Sequence, residues 1–244
     1  MFMGFVDALF NKLTAGNTLF YPGCLTKFVG KDVLKNYETL LKKMNINYIM
    51  LADEEVCCGS PVHAAGYQKD FENLILKNSE LFSERGITKI ITPCPGCYKI
   101  FTRHYNFQNI EVEHATITIK KALEKGTLKP AKVNKTITYH DPCHLGRQSN
   151  IYDEPRDVLK ALGYTIKEML YTREDALCCG AGGGVKSNYP QTANKIAKER
   201  LKELDTIGVD LLVTPCTMCT KHLEENAKGV KIMEFAEAVL HAVK

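Results

Sequence analysis

Ten cysteines divide this 244-residue chain into two matching series. Each series has a lone cysteine, then an adjacent Cys-Cys pair followed by glycine, then a CxxC pair, and the second repeats the first at an offset of roughly 120 residues. The two series are Cys24, Cys57, Cys58, Cys94, Cys97 and Cys143, Cys178, Cys179, Cys216, Cys219. Flanking residues repeat as well, so the pattern predicts a duplication with two similar halves.

The secondary structure predicted from hydrophobic periodicity repeats in step with the cysteines. In the first half it comprises strands at 18–21, 48–51 and 89–92 and helices at 31–44 and 70–85. In the second half it comprises strands at 136–139, 165–169 and 210–214 and helices at 154–162 and 191–207. Strands that alternate with helices of this length indicate βαβ units. We therefore predict an α/β fold of two pseudo-symmetric Rossmann-like halves with mainly parallel sheets.

The predicted domain boundaries follow from this repeat. We place an N-terminal amphipathic helix at 1–17, the first half at 18–117, a linker at 118–135 and the second half at 136–244. The connection from 111 to 135 is expected to contribute one helix, at 118–125. The apolar face of the N-terminal segment has three interpretations: packing on its own domain, docking of a partner, or weak attachment to a membrane surface.

Each cysteine group follows a predicted strand and precedes a helix. The carboxyl edge of a parallel sheet is where ligands bind, and the N–H groups of helix N-termini favour anionic, thiolate-ligated sites there. The glycine-rich stretch Gly180-Ala-Gly-Gly-Gly184 has a rival interpretation as a phosphate-binding loop. That interpretation is disfavoured because Cys-Cys directly precedes the stretch and the G-x-G-x-x-G spacing is absent. We expect metal sites at this edge of each sheet.

Composition narrows the function classes. Basic and acidic residues number 32 and 28, which gives a net charge of only +4 and argues against a nucleic-acid surface. No segment approaches the roughly 20 apolar residues that cross a bilayer, and no signal-peptide pattern is present. The expected location is the cytoplasm, with a peripheral position at the membrane through partner subunits as a further option. Clustered cysteines in that compartment indicate metal or redox chemistry rather than disulfides.

Cysteine spacing by itself leaves more than one cofactor open. A zinc site would use four thiolates, for example Cys94, Cys97, Cys216 and Cys219, and would leave six thiols unexplained. A thioredoxin-like dithiol needs only one CxxC and does not account for the duplication. Iron–sulfur clusters take several thiolate ligands, and five cysteines per half is one more than a cubane cluster requires. The surplus favours an unusual iron–sulfur cluster.

The doubled pattern resembles the cysteine-rich CCG-domain family over about residues 18 to 240. This family includes the B and D proteins of heterodisulfide reductase, lactate-utilisation protein A, and the iron–sulfur subunits of glycolate and glycerol-3-phosphate dehydrogenases. The segments His140-Asp-Pro-Cys-His-Leu-Gly-Arg147 and Cys178-Cys-Gly-Ala-Gly-Gly-Gly184 are most similar to the heterodisulfide reductase group. The resemblance implies two non-cubane 4Fe–4S clusters, each bound by the five cysteines of one half and facing the other across a pseudo-two-fold cleft.

The resemblance also implies a reaction and partners. Well-understood members cleave the mixed disulfide of coenzymes M and B by one-electron steps. This chain lacks the ferredoxin-like C-x-x-C-x-x-C-x-x-x-C segment of several relatives and any flavin or nicotinamide motif. We therefore expect electrons from a ferredoxin-like partner, equivalent to the C protein of heterodisulfide reductase, or from a flavoprotein. The alternative is an electron-transfer subunit of a lactate, glycolate, glycerol-3-phosphate or succinate dehydrogenase that passes electrons towards quinone.

Three residues other than cysteine are candidate catalytic groups: His140, His144 and Arg147. The two histidines bracket Cys143, so either ring can hydrogen-bond a cluster sulfur or deliver a proton to a departing thiolate. Their alternative role is that of turn residues hydrogen-bonded to the backbone. Four lysines also follow cysteine groups and are candidate ligands for anionic substrate groups, although solvated surface charge is the default for each. They are Lys27, Lys99, Lys186 and Lys221.

Overall fold

The computed structural model describes residues 16–209 and 211–244. The predicted N-terminal helix lies outside the described residues except for Gly16 and Asn17, and Asn17 begins the first strand. The helices that follow bury the faces on which the sequence places apolar residues. In helix Lys31–Lys43, for instance, Val33, Tyr37, Leu40 and Leu41 are buried at helical spacing.

The first half is built on a three-stranded parallel sheet. Its strands are β1 Asn17–Phe20, β2 Ile87–Thr92 and β3 Glu111–His114, in the order β1-β2-β3. Its helices are α1 Cys24–Phe28, α2 Lys31–Lys43, α3 Ser60–Ala64, α4 Gln68–Glu84, α5 Pro95–Arg103 and α6 Ala115–Glu124. The strand predicted at 48–51 is reduced to a single parallel bridge between Ile49 and Leu19.

The second half repeats this arrangement on a four-stranded parallel sheet. Its strands are β4 Lys135–Tyr139, β5 Tyr164–Ile166, β6 Leu211–Thr214 and β7 Lys231–Glu234, in the order β5-β4-β6-β7. Its helices are α7 Asp153–Ala161, α8 Val185–Asn188, α9 Pro190–Ile207, α10 Thr217–Asn226 and α11 Phe235–His241. With Ile49 in the place of β5, the two halves have the same strand order. The predicted α/β fold with parallel sheets and two repeated halves is confirmed.

Each half ends in a short strand that the sequence pattern did not predict, followed by a helix. Strand β3 leads directly into α6, and β7 leads directly into α11. Equivalent residues cap the two helices, since the His114 side chain accepts a hydrogen bond from Thr116 N–H and the Glu234 side chain accepts one from Ala236 N–H. Helix α6 begins at Ala115 rather than at the predicted position 118, so the predicted boundary between 117 and 118 falls within it.

The two halves share one hydrophobic core. Helix α2 of the first half packs against α11 of the second, and α6 of the first packs against α7 of the second. Buried side chains of this core include Leu40, Ile119, Leu159 and Val239. A buried hydrogen bond of 3.0 Å from Tyr37 Oη to Glu234 Oε1 also crosses between the halves. The cysteine-bearing loops of both halves are therefore held by one packed body.

Candidate metal centre

The cysteine groups lie where parallel strands end and helices begin. Cys24 follows β1 and opens α1, and Cys94 follows β2 at the N-cap of α5. In the second half, Cys143 follows β4 and Cys216 follows β6 at the N-cap of α10. The Cys-Cys pairs occupy the loops that precede α3 and α8. These positions form the carboxyl edge of each sheet, where the backbone N–H groups of helix N-termini are available to an anionic group.

The five thiols of the first half form one contiguous group. Side-chain hydrogen-bonding contacts join them in the order Cys24, Cys57, Cys58, Cys97, Cys94. The five thiols of the second half are joined in the equivalent order Cys143, Cys178, Cys179, Cys219, Cys216. In the second group, the Cys179 and Cys219 Sγ atoms are 3.2 Å apart. All ten cysteines are free thiols, so each half offers five sulfur donors in one place.

A glycine shapes each Cys-Cys loop in the same way. Gly59 N–H donates to Cys57 Sγ at 3.4 Å, and Gly180 N–H donates to Cys178 Sγ at 3.3 Å. Both glycines have positive φ, 94° and 86°, a region that disfavours side chains. A Cβ atom added to Gly59 would also lie 2.5 Å from the Phe71 ring. These loops therefore require glycine after the cysteine pair.

Crowding of the thiols shifts their pKa values in both directions. Hydrogen bonds from Cys57 and Cys97 lower the pKa of Cys58 to about 5, and hydrogen bonds from Cys143 and Cys179 lower the pKa of Cys178 to about 2. Neighbouring thiols and burial raise the pKa of Cys219 well above its ordinary value. A cationic metal group bound by the five thiols would favour the thiolate form of each. Thiolates are the ligand form for iron and zinc, so a polynuclear cationic metal group fits this donor set.

The loops that carry the two thiol groups meet at the interface between the halves. Thr26, on α1, and Thr217, within the second CxxC, bring their Oγ1 atoms to 2.9 Å in a buried contact. The other pair of loops is also close together: Gly96 lies in the CxxC of the first half, and His144 follows Cys143 in the second. A Cβ atom added to Gly96 would lie 3.4 Å from His144 Nδ1. Each loop that carries a lone cysteine therefore lies beside the CxxC of the other half.

His140 lies among the sulfurs of the second group. Its ligand nitrogen and the Sγ atoms of Cys179 and Cys219 all lie within 4.8 Å of one another. Arg200 Nε donates to His140 Nδ1 at 3.2 Å, while His140 Nε2 is buried with no hydrogen-bond partner among the described residues. Burial, and then the Arg200 charge, lower the pKa of His140 to about 3. The imidazole is therefore neutral, with Nδ1 as the acceptor and its proton on Nε2.

The other two candidate residues occupy different positions. His144 is half-buried beside Gly96, and burial together with the Lys99 charge lowers its pKa. Arg147 Nη1 donates to the carbonyl oxygens of Glu174 at 3.0 Å and Ala176 at 2.6 Å. Arg147 thus holds the segment that precedes Cys178.

Three of the four candidate lysines have protein partners. Lys27 Nζ donates to Ala52 O, and Lys186 Nζ lies 2.7 Å from Glu225 Oε2. Lys221 Nζ lies 3.6 Å from Asp32 Oδ2 and 3.7 Å from Glu224 Oε2. Within the part of the chain that the structure describes, the Lys99 ammonium group forms neither a hydrogen bond nor an ion pair.

Two buried arginines support the second group and were not predicted. Arg200 orients His140 as described, and Arg156 binds both carboxylate oxygens of Asp141 at 2.7 and 2.8 Å. Asp141 also accepts from the backbone N–H of Arg173 at 2.9 Å, so it fixes the loop that leads into Cys143. Both arginines lie on amphipathic helices where a charged residue is ordinarily exposed, and no signal in the sequence marked them.

The family model described as the CCG cysteine-rich domain matches this chain twice, at residues 18–102 and 137–224. The chain belongs to the CCG cysteine-rich domain family. The two matches coincide with the two halves of the fold, and each contains one complete five-thiol group. The predicted family membership is confirmed.

Relatives of this CCG protein include an iron–sulfur protein and proteins of two oxidoreductases. An iron–sulfur protein of Methanocaldococcus jannaschii is 36% identical over 87% of this chain and 42% of its own length. The D protein of the dihydromethanophenazine:CoB–CoM heterodisulfide reductase of Methanosarcina acetivorans is 32% identical over 88% of this chain and 55% of its own. The EtfAB:quinone oxidoreductase of Syntrophomonas wolfei is 32% identical over 93% of this chain and 34% of its own.

The CCG protein thus spans between about a third and somewhat more than half of these relatives. Its family and these relatives support iron–sulfur clusters in this chain. None of the helices that the structure describes has the length and apolar character needed to cross a membrane.

Proposed function

We propose that the chain is an iron–sulfur oxidoreductase subunit of the heterodisulfide reductase B type, which reduces a disulfide with electrons from partner subunits. The observation that carries this proposal is the pair of five-thiol groups, joined in the same order and placed on loops that meet between the halves. The similarity of the chain to a heterodisulfide reductase protein supports the assignment.

Each half would hold one 4Fe–4S cluster of a non-cubane kind through its own five cysteines. Five thiols in contact exceed the four ligands of a cubane, which favours a cluster of different shape. When bound, such a cluster supplies single electrons and an iron atom that can bind a substrate sulfur. The remaining chemistry falls to the residues of the chain.

Reduction of one disulfide consumes two electrons and two protons and yields two thiols. The electrons would come from a ferredoxin-like or flavoprotein partner. His144, at the junction of the two halves, would take up a proton from solvent to form its imidazolium and pass that proton to a thiolate product. His140 would donate its Nε2 proton in a hydrogen bond to sulfur, and Arg147 would position the loop before Cys178.

A second candidate function is electron transfer towards quinone without bond chemistry. The similarity to an EtfAB:quinone oxidoreductase favours it. In that role the two clusters would relay electrons from a flavin-containing dehydrogenase. The histidines beside the second thiol group would tune the reduction potential of its cluster and would not protonate a product. The two candidates differ in whether a disulfide changes the state of the clusters.

The deciding experiment begins with protein purified without oxygen and analysed for iron, acid-labile sulfide and EPR signals at several poised potentials. We expect about eight iron and eight sulfide per chain, and signals that change when a disulfide is added. Zinc without sulfide would overturn the proposal. Clusters that no disulfide affects, but that a dehydrogenase partner reduces, would favour the second candidate.

A matched pair of variants tests the assignment of ligands to halves. Cys57→Ser should remove the signal of one cluster, and Cys178→Ser, at the equivalent position, should remove the other. Each variant should retain about half of the iron. Loss of all iron in both variants would contradict the assignment, since it would mean that the halves share ligands.

A further inference from the structure

Three buried side chains hold the backbone of the first Cys-Cys loop by its carbonyl oxygens. The donor–acceptor pairs are Tyr21 Oη to Val56 O at 2.6 Å, Asn78 Nδ2 to Cys57 O at 3.0 Å and Tyr105 Oη to Cys58 O at 3.1 Å. Asn78 Nδ2 also donates to Tyr105 Oη at 2.9 Å, which links two of these contacts. Because the donors follow β1, lie within α4 and follow α5, they fix three successive peptide groups relative to the whole first half.

Ring packing and a helix start restrict the same loop further. The Phe101 ring meets the Tyr21 and Tyr105 rings edge to face, with 4.9 Å between the centroids in both contacts. Helix α3 begins at Ser60, immediately after the Cys-Cys-Gly sequence, and Pro61 fixes φ in its first turn. The first cysteine pair is therefore held on both sides, by side-chain hydrogen bonds and by a helix.

The three hydrogen-bond donors are replaced in the second half. At the positions equivalent to Tyr21, Asn78 and Tyr105, the second half has His140, Arg200 and Ala227. Contacts of the loop glycines fix the register of the two long helices. Gly59 lies against Phe71, seven residues before Asn78, and Gly180 lies against Ala193, seven residues before Arg200. The comparison is therefore between structurally equivalent residues.

The replacements leave the second Cys-Cys loop without the equivalent hydrogen bonds. Arg200 donates to His140 Nδ1 instead, and Ala227 has no side-chain donor. Within residues 16–209 and 211–244, no side chain donates to the carbonyl oxygens of positions 177–179. The backbone of the second cysteine pair is therefore not fixed by side chains in the way that the first is.

The chain on either side of the second pair is also less restricted. Before the pair, Arg147 holds the backbone, but its last acceptor is Ala176 O. After the pair, the stretch Gly180-Ala-Gly-Gly-Gly184 takes the place of a helix start, and α8 begins only at Val185. A Cβ atom added to Gly182 would meet no atom within 4 Å. Because glycine has the widest choice of backbone conformations, this loop can move more readily than the first.

We propose that the second Cys-Cys loop, residues 177–184, moves when a substrate sulfur binds, whereas the first loop, residues 56–63, keeps one conformation. Asn78 and Tyr105 are positioning residues for the first loop. The fixed first loop follows from the contacts alone, while the movement of the second loop rests on the proposed function.

This difference gives the two thiol groups different roles. Electron transfer requires little change in ligand geometry, which suits the fixed first group. Binding of an additional sulfur requires space, which the second loop supplies when Cys178 and Cys179 move. Arg200 Nη2 is buried without a partner among the described residues, so it is a donor that a carbonyl oxygen of the moved loop can use.

The test is hydrogen–deuterium exchange, followed by mass spectrometry, on cluster-loaded protein kept without oxygen. Peptides that cover 56–63 and 177–184 report the opening of the two loops. We expect the second loop to exchange about tenfold faster, the equivalent of one net hydrogen bond. Hydroxyethyl disulfide, an uncharged probe, should change the exchange of 177–184 and leave 56–63 unchanged. EPR of the same samples shows whether the clusters respond to the disulfide.

Tyr105→Phe removes the hydroxyl that holds the first loop and keeps the ring. We expect the exchange of 56–63 to rise about tenfold, and the iron of the first half to pass to a chelator faster by a similar factor. The matched control is Tyr164→Phe, which loses a buried hydrogen bond of 2.9 Å to Ala238 O away from the cysteine loops. The control should leave the exchange of both loops unchanged.

Gly182→Ala tests the second loop in the opposite direction. Gly182 is not among the glycines with positive φ, and its added Cβ meets no neighbour, so alanine fits and reduces the freedom of the loop. We expect the exchange of 177–184 to slow about threefold and the disulfide to change it less than in wild type. The iron content should stay the same.

Four outcomes would overturn the inference in whole or in part. Equal exchange of the two loops in wild type, or a disulfide that changes both loops equally, would contradict it without any variant. Exchange of 56–63 that is the same in Tyr105→Phe and wild type would contradict the positioning role. Clusters that respond to the disulfide by EPR, without a change at 177–184, would remove the loop movement while disulfide reduction stands.

Clusters that do not respond to the disulfide would remove the proposed function together with the loop movement. The fixed first loop is then still decided by wild-type exchange and by Tyr105→Phe. If Tyr105→Phe fails to fold, the comparison of the two loops in wild type and in Gly182→Ala decides the difference between them.

Discussion

Arg200 Nε donates a hydrogen bond to His140 Nδ1 across 3.2 Å, and both side chains are buried. Because Nδ1 accepts, the neutral imidazole carries its proton on Nε2, which is buried without a hydrogen-bond partner among the described residues, and a nitrogen of this ring lies within 4.8 Å of the Cys179 and Cys219 sulfurs. The equivalent residue in the first half is Tyr21, whose hydroxyl donates to Val56 O at 2.6 Å instead. The two thiol groups therefore differ in their hydrogen bonding.

This difference predicts unequal cluster potentials. A hydrogen bond to sulfur stabilises the reduced, more negative cluster and raises its potential. His140→Phe should lower the potential of the second-half cluster by about 60 mV, the one-electron equivalent of about 1.4 kcal/mol. Tyr21→Phe is the control and should leave that potential unchanged. EPR-monitored redox titration measures both, and an unchanged potential in His140→Phe would contradict the assigned Nε2 proton.

A buried ion pair holds the loop that carries Cys143. Arg156 and Asp141 are each 2% exposed in their side chains and form two parallel hydrogen bonds. Arg156→Met would leave the Asp141 carboxylate buried without its partner, so we expect a loss of about 3–5 kcal/mol in the free energy of unfolding. Lys202→Ala, in an exposed pair with Glu199, should change it by about 0.5 kcal/mol or less. Urea unfolding followed by far-UV circular dichroism compares them, and similar losses in both variants would contradict a structural role for the pair.

Glu234 predicts a pH dependence of stability. Burial raises its pKa to about 8 in the folded protein, even though Ala236 N–H and Tyr37 Oη donate hydrogen bonds to it. Because the folded pKa lies above the unfolded one, the stabilisation is fully present below pH about 4.5 and is lost as the pH rises towards about 8. This loss lowers the free energy of unfolding by up to about 1.4 kcal/mol per pH unit.

Glu234→Gln should remove this slope, because the amide can accept from Ala236 N–H, bond to Tyr37 and remain uncharged. Relative to wild type, the variant should therefore be more stable at pH about 8 than at pH about 5. Urea unfolding at both pH values measures the difference. Glu199→Gln, at an exposed site, is the matched control, and an identical pH profile in Glu234→Gln and wild type would argue against a raised pKa.

The local sequence pattern predicted the strands and helices that recur in each half. The remaining strands depend on pairing with distant parts of the chain. The strands before Cys24, Cys94, Cys143 and Cys216 were predictable because each is a short apolar run that stops at a turn. Strands β3 and β7 have four residues each, with charged residues in both, so their burial is fixed only by pairing with β2 and β6. The apolar segment 48–51 was predicted as a strand, but it pairs with the sheet only at Ile49 and forms a single bridge.

The candidate metal centre was also predictable only in part. The cysteine series was visible in the sequence because its spacing repeats, whereas the residues that support it come from distant parts of the chain. Arg200 reaches His140 across 60 positions, and Thr217 reaches Thr26 across 191. Charge alone did not distinguish Lys99 from Lys221, because their difference lies in the acidic residues that the fold brings to Lys221.

The last prediction concerns the glycine after the first Cys-Cys pair. Gly59 has φ of 94°, a Cβ added there would lie 2.5 Å from Phe71, and its N–H donates to Cys57 Sγ. Gly59→Ala therefore combines backbone strain with a steric clash and displaces the donor from the sulfur. We expect this variant to lose about half of the iron and sulfide, from the first half alone.

The variant Gly66→Ala is a control that introduces backbone strain without a steric clash. Gly66 has φ of 84°, close to that of Gly59, but a Cβ added there would meet no atom within 4 Å. This variant should lower stability by about 1 kcal/mol and retain its full iron content, because no sulfur contact depends on it. Iron and sulfide analysis of the two variants, with EPR to identify the missing cluster, tests the difference. Equal iron loss in both would mean that backbone strain alone, rather than the shape of the loop around Cys57, governs cluster binding in the first half.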